Sequence, residues 1–277
     1  MAISLLSNPT ALSVQNDLYQ TQQGLGERMQ RVASGKQIIH AGDDPAGNAI
    51  ATKRDVEVSA AGQARKNAMD ATSLTQVAEG GMNEVSNLLV RMRELATQAA
   101  SDTVGDEERQ LINAEVGQLT QEIDRIAGST RFGSTHLLNG SGKNMTFLIG
   151  TDTSDLSMLH YDASSVDVRS SALGVDGISV ENIDDAQDSL GKIDQAFAKL
   201  NIPRAQLGGL QARLHSVDNT LSSYEQNMTE ANSHIRDADI AHEAVEITRT
   251  QIQQRAALSM LAQANMGPEG ALKLLGT

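Results

Sequence analysis

The 277-residue chain has no cysteine and no tryptophan, and only 2% of it is aromatic. Without cysteine there is no disulfide and no thiolate metal site, although that alone does not fix the compartment. Large aromatic side chains, each burying roughly 150–250 Å², ordinarily anchor a compact core. Here Ala, Leu, Ile, Val and ten Met must do the packing, which suits thin helical seams and predicts an elongated molecule. A surplus of positive charge is also missing: the net charge of −13 excludes a general nucleic-acid binder, and its expected effects are solubility and self-repulsion. No run approaches the length of a membrane span, so no membrane insertion is expected. Met1–Pro9 lacks the charged start and sustained apolar stretch of a secretory leader, so any export must take another route.

What the chain does have is a sustained heptad. Ala186, Ile193, Leu200, Leu207, Leu214, Leu221, Met228 and Ile235 form one uninterrupted apolar column. A companion column begins at Leu190 and Phe197 and continues, after a one-residue shift at Pro203, as Leu210, Val217, Tyr224 and Ala231. This predicts a helix of about 50 residues, roughly 75 Å long, with a narrow seam that needs partners elsewhere in the chain. Pro203 predicts a kink or a helix restarted along the same axis. The first partner is residues 60–99, with columns Ala60, Asn67, Leu74, Gly81, Leu88, Leu95 and Ala64, Ala71, Ala78, Val85, Met92, Ala99. Asp44-Pro45 reads as its N-cap and first helical position, and Gly80-Gly81 predicts a bend or a close approach. A shorter partner carries Ile112, Val116, Leu119, Ile123 and Ile126, beginning at Glu107-Glu108 and ending at Gly128.

Between 129 and 185 the helical period disappears. Runs 145–149 and 156–161 around a Gly-Thr-Asp-Thr-Ser-Asp turn predict a β-hairpin. The segment reads as a small exposed lobe at one end of the bundle. At the chain ends, Ala11, Leu18, Leu25 and Val32, helped by Val14 and Met29, form a weak Gln-rich seam. Ile240, Ala244, Ile247, Leu258 and Leu261 form one stripe, and Ala241, Val245, Ile252, Ala256 and Met260 a second. Two apolar faces require neighbours on two sides, and one chain offers only the weak N-terminal helix. The expectation is that both ends are disordered in an isolated chain and fold together on assembly. The predicted fold class is therefore mainly α: an elongated antiparallel helical bundle or coiled coil with a small β-hairpin lobe. Its parts are 1–43 and 236–277 as the two halves of a terminal coiled coil, 44–140 and 183–235 as the bundle, and 141–182 as the short variable lobe.

Catalytic signals are thin. His242-Glu243-Ala-Val-Glu246 lacks the second His of the metalloprotease helix motif, so it reads as a solvated helix face. The other five histidines show no ligand spacing, and no phosphate loop or nucleophile elbow occurs, so neither an enzyme nor a cofactor is expected. Three glycosylation sequons begin at Asn139, Asn144 and Asn227, and the Ser/Thr density of 129–171 could accept O-linked sugar.

The ends of the chain resemble bacterial flagellin. On the N-terminal side the resemblance rests on Val32-Ala-Ser-Gly-Lys36, Ala41-Gly-Asp-Asp-Pro-Ala-Gly47, Met92-Arg-Glu-Leu-Ala-Thr-Gln98, Glu122-Ile-Asp-Arg-Ile-Ala-Gly128, Phe132 and Leu137-Leu-Asn-Gly140. On the C-terminal side it rests on Arg204-Ala-Gln-Leu-Gly208, Ile235-Arg-Asp-Ala-Asp-Ile-Ala241 and Met260-Leu-Ala-Gln-Ala-Asn265. Pro203 and Gly133 depart from the family pattern. The resemblance implies a short form without large outer domains, exported unfolded through the flagellar channel to the extracellular filament, with the N-terminal segment acting as an uncleaved signal. It also implies a homopolymer whose core contacts fall on Leu18, Leu25, Val32, Ile240, Val245, Ile247, Ile252, Leu258 and Leu261. Further implied partners are the cap and hook-junction proteins, an export chaperone on the C-terminal helix, and a host innate receptor at Leu89, Arg91, Leu95 and Glu115. A hook-filament junction protein of the same superfamily is the alternative.

Overall fold

The computed structural model describes residues 8–275, with side chains through Met266. The first seven residues, where the uncleaved export signal was expected to begin, and the last two lie outside the described residues. Six helices of note follow one another: α1 (Pro9–Ser34), α2 (Pro45–Ala99), α3 (Asp106–Ser129), the four-residue α4 (Ser170–Leu173), α5 (Ile183–Arg236) and α6 (Ile240–Leu275). Two antiparallel strand pairs are formed by β1 (Arg131–Phe132) with β2 (Thr135–His136) and β3 (Asn144–Leu148) with β4 (Met158–Asp162). The chain divides into two compact units, 57–226 and the joined ends 1–56 with 227–277.

Each boundary has a local cause. Asp44 Oδ1 accepts the Ala46 and Gly47 N–H groups at 3.1 and 2.9 Å, with Pro45 as the first residue of α2. Asp106, Glu107 and Glu108 occupy the first turn of α3, where they complement the exposed N–H groups and the helix dipole. Arg109, which drew no attention in the sequence, is buried and closes the α2–α3 corner. Its guanidinium donates to the Ala99 and Ser101 carbonyls at 2.9 and 3.0 Å and pairs with Asp106 at 3.0 Å. The last carbonyls of α2 thereby gain a donor from another element.

Within unit 57–226, α2 and α5 run antiparallel, as shown by Arg65 to Asp218 at 3.1 Å and Arg93 to Asp194 at 2.9 Å. On α2 the buried positions Ala61, Ala64, Ala68, Ala71, Thr75, Ala78, Met82, Val85, Leu89, Met92, Ala96 and Ala99 alternate strictly by threes and fours, with Leu74 and Leu95 buried beside them. The Ala64 column is therefore right, whereas its main companion lies one residue beyond the expected Ala60 to Leu95 column, of which Leu74 and Leu95 are buried as expected. On α5 the companion before Pro203 is Ser189 and Ala196, both buried, while Leu190 and Phe197 pack at the edge. With that correction the heptad needs no one-residue shift, and Pro203 sits inside one helix from Ile183 to Arg236. Gly81 supports the close-approach expectation: a Cβ there would meet Leu138 Cδ1 at 2.6 Å and Thr130 Oγ1 at 2.7 Å.

The hairpin appears in register Asn144↔Asp162 to Leu148↔Met158. The expectation of an exposed lobe is corrected, because the segment joins the bundle core. Ala163, Val166, Val168, Leu173, Val175 and Val180 are buried in one cluster with Met82, Val85 and Leu200, and Leu159 packs with Ala68, Ala71 and Leu214. Ser170 is tied to Asp124 of α3 through N–H and Oγ, both at 2.8 Å. The hairpin tip, 151–156, is exposed.

Candidate self-assembly interface

In the unit formed by the chain ends, α1 and α6 pair antiparallel. Asn8 Nδ2 donates to the Ala264 carbonyl at 2.9 Å at one end, and Arg28 Nη1 meets Glu243 Oε2 at 3.2 Å at the other. Asn8 also caps α1 by accepting the Ala11 N–H, and Asp239 caps α6 by accepting those of Ala241 and His242. At the junction the Gln37 N–H donates to the Arg236 carbonyl at 2.8 Å and the Ala238 N–H to the Gly35 carbonyl at 2.9 Å. Gly35 ends α1 with φ +70°, a conformation that favours glycine.

Half-burial on α1 falls on Ala11, Val14, Leu18, Thr21, Leu25, Arg28 and Val32, and no residue of this helix is buried outright. On α6 it falls on Ile247, Gln251, Gln254, Ala257, Leu261 and Ala264, with Glu243 and Thr250 buried. Leu18, Leu25, Val32, Ile247 and Leu261 therefore lie in the intramolecular seam. Val245, Ile252 and Leu258 point away from it and are exposed, joined by Met260, whereas Ile240 continues the seam spacing at the start of α6 and is 47% exposed. The two apolar stripes expected for α6 are real in that sense: one is partly used by α1 and the other has no cover within the described chain.

Glu243 does not belong to a solvated face, contrary to the sequence reading. It is buried among cations, with Arg28 at 3.2 Å and Arg31 at 3.6 Å, while Glu246 takes the second Arg28 nitrogen at 3.3 Å. The motif around His242 thus uses its carboxylates to bind arginines across the helix pair. Continuing the three-four spacing through Val14, Thr21 and Arg28 would have placed a cation in the seam and exposed this partnership.

The four residues expected on a host-receptor face divide. Leu89 and Leu95 are 0% and 2% exposed, which corrects their placement: they are core residues of α2 and present nothing to a partner. Arg91 and Glu115 are exposed and joined at 2.8 and 3.0 Å. That bond to Glu115 raises the Arg91 pKa above its ordinary range.

Comparison with known proteins decides the family. The flagellin N-terminal helical region matches residues 5–143 and the flagellin C-terminal helical region residues 190–275. This chain is a bacterial flagellin by family. A flagellin of Halalkalibacterium halodurans is 35% identical over 247 residues, 89% of this chain and 90% of its own length. The flagellin of Bacillus subtilis strain 168 is 34% identical and spans 97% of this chain and 98% of itself. Among solved structures, Bacillus cereus flagellin superposes with a TM-score of 0.51 at 30% identity, covering 60% of this chain and 94% of that one. No helix among the described residues of this flagellin is long and apolar enough to cross a membrane.

Proposed function

We propose that this flagellin is the repeating structural subunit of an extracellular flagellar filament used for swimming, with its paired ends as the assembly elements. The observation that carries the reading is the outward face of α6, where Val245 and Ile252 remain 66% and 62% exposed although the helix is already paired with α1. Soluble chains seldom leave such a stripe uncovered without a partner, and a polymer of identical copies supplies one. The names of the relatives, flagellins and flagellar filament core proteins, favour this over a hook-filament junction role.

The ends fold as they assemble. A seam that leaves α1 without one buried residue offers little against about 1–2 kcal/mol of backbone entropy per ordered residue. Copies of the chain supply the missing burial, as in other coupled folding and binding. Export proceeds in an unfolded state, with a chaperone covering α6 before assembly, and the filament is bounded by cap and hook-junction proteins. A host receptor engages the Arg91–Glu115 pair. The protein acts structurally, not as an enzyme: Glu243 and Glu246, the only carboxylates of the metalloprotease-like string, are held by Arg28 and Arg31.

Electron microscopy of the purified chain in polymerising salt tests this function. Long open-ended filaments are expected. Short, self-limited oligomers at every salt concentration would refute the filament reading and favour the junction role.

A further inference from the structure

We infer that the ionic cluster of Arg28, Arg31, Glu243 and Glu246 sets the register in which the two chain ends pair, an inference that rests on the assembly role proposed above. Counting between the observed contacts of Asn8 with Ala264 and Arg28 with Glu243 opposes Leu25 to Ile247, Thr21 to Thr250, Leu18 to Gln254, Val14 to Ala257 and Ala11 to Leu261. Both helices keep the same three-four spacing, so α6 can slide by one heptad and still present seam positions to α1. In one slipped pairing Leu18 meets Leu261 and Val32 meets Ile247; in the other Leu18 meets Ile247 and Leu25 meets Ile240. Each slipped arrangement forfeits only one or two of the apolar pairs, so apolar matching alone separates the registers weakly.

The ion pairs do select it. A slip of seven residues in one direction opposes Glu243 to Thr21 and Arg28 to Arg236, and in the other opposes Glu243 to Gly35 and Arg28 to Thr250. Glu243, 6% exposed in the observed pairing, would then lose both of its arginines. Leaving a buried charge unpaired is costly, whereas the same pair contributes little over a well-packed apolar layer. An ionic layer is therefore a poor source of stability and a good discriminator between registers. The backbone bridge from Gly35 and Gln37 to Ala238 and Arg236 lies beside this cluster and holds the same alignment at the helix junction. Register matters for assembly because it fixes which outward residues of α6 stand level with which residues of α1, and hence the surface each copy offers the next.

The natural absence of cysteine makes the test direct. Full-length chain carrying Thr21→Cys with Thr250→Cys reports the observed register, and Thr21→Cys with Ala257→Cys reports a one-heptad slip. Each is polymerised and then oxidised in four backgrounds: parent, Glu243→Arg/Glu246→Arg, Arg28→Glu/Arg31→Glu, and the fourfold charge swap. In the parent, the 21/250 pair is expected to close within filaments and the 21/257 pair not to. Either reversal should lower the 21/250 disulfide yield at least tenfold, through slip to 21/257 or loss of pelletable polymer. The fourfold swap should restore it to within twofold of the parent. Parent-level closure in either reversal, or a swap that fails to restore it, overturns the register role. A parent chain that forms no filaments would instead overturn the assembly reading itself.

Discussion

Replacing Val245 and Ile252 by Asp isolates the contribution of the outward face of α6. Both side chains are about two-thirds exposed and take no part in the seam with α1. Fully burying an aliphatic side chain stabilises by about 1.5–3 kcal/mol, so covering the exposed two-thirds is worth about 1–2 kcal/mol each. The pair thus supplies about 2–4 kcal/mol per subunit added, and with 1.4 kcal/mol per factor of ten the critical concentration should rise at least about 30-fold. Desolvating two carboxylates adds to that cost. The bundle of 57–226 should not respond, since neither residue touches its core. Sedimentation across a concentration series measures the first effect, and circular dichroism with thermal unfolding of the soluble chain measures the second. Filaments that still pellet at the parental critical concentration would refute the argument, as would collapse of the bundle's helical signal.

Four further outcomes follow from the bundle. Replacing Gly150–Leu156 by a two-residue Asn-Gly turn should leave filaments and thermal stability intact, because Ile149 N–H already donates to the Ser157 carbonyl at 2.8 Å. Removing 142–178 should instead unfold the unit: it strips Leu159, Val166, Val168, Leu173 and Val175 from the core, about 1.5–3 kcal/mol each, against a total stability of about 5–15 kcal/mol. Burial, and next the Asp162 charge, push the Tyr161 hydroxyl up to about 12. Its neutral form is favoured by folding, so that contribution is present below the unfolded pKa of about 10 and is lost as pH rises through about 12. Tyr161→Phe should remove this alkaline transition from the phenolate absorbance without lowering stability near neutral pH, because the buried hydroxyl has no hydrogen-bond partner among the described residues. Arg91→Ala should weaken a host-receptor reporter response and leave thermal unfolding nearly unchanged, whereas Leu95→Ala should cost about 2–5 kcal/mol as a core truncation. An unchanged reporter response to Arg91→Ala in a system that senses the parent would remove that face.

The helices were legible in the sequence because one long column carries only apolar residues. The faces were less so. Selecting companion positions by apolarity favoured Leu88 and Leu190, yet the heptad lines face inward through Ala61, Ala68 and Thr75 on α2 and Ser189 and Ala196 on α5. Small residues let these backbones approach, and the larger neighbours close the edges; Thr75 and Ser189 remain tolerable there because each hydroxyl donates, to the Thr72 and Ser179 carbonyls. The segment 129–182 hid its core role for a different reason. Val166, Val168, Val175 and Val180 are spread through Ser-, Asp- and Gly-rich turns with no period to read, and their burial depends on the surface that α2, α3 and α5 present. The pairing of Arg28 with Glu243 was equally invisible to an apolar search, because it occupies seam positions with charge.

Charge is distributed unevenly between the two units. Residues 57–226 hold 24 Asp and Glu against 13 Lys and Arg, a net of −11, whereas the joined ends hold 11 against 9, a net of −2. Like charge at high density opposes bringing copies together, and screening removes it only beyond roughly 10 Å at 0.1 M salt. The proposed assembly role of the ends suits a net of −2 better than a net of −11. The near-neutral ends also spend their charges internally, with Arg28, Arg31, Glu243 and Glu246 neutralising one another and Arg236 pairing with Asp55 at 2.6 Å. What α6 then offers a neighbour is Val245, Ile252 and Met260, a face on which burial is not opposed by long-range repulsion from the same unit.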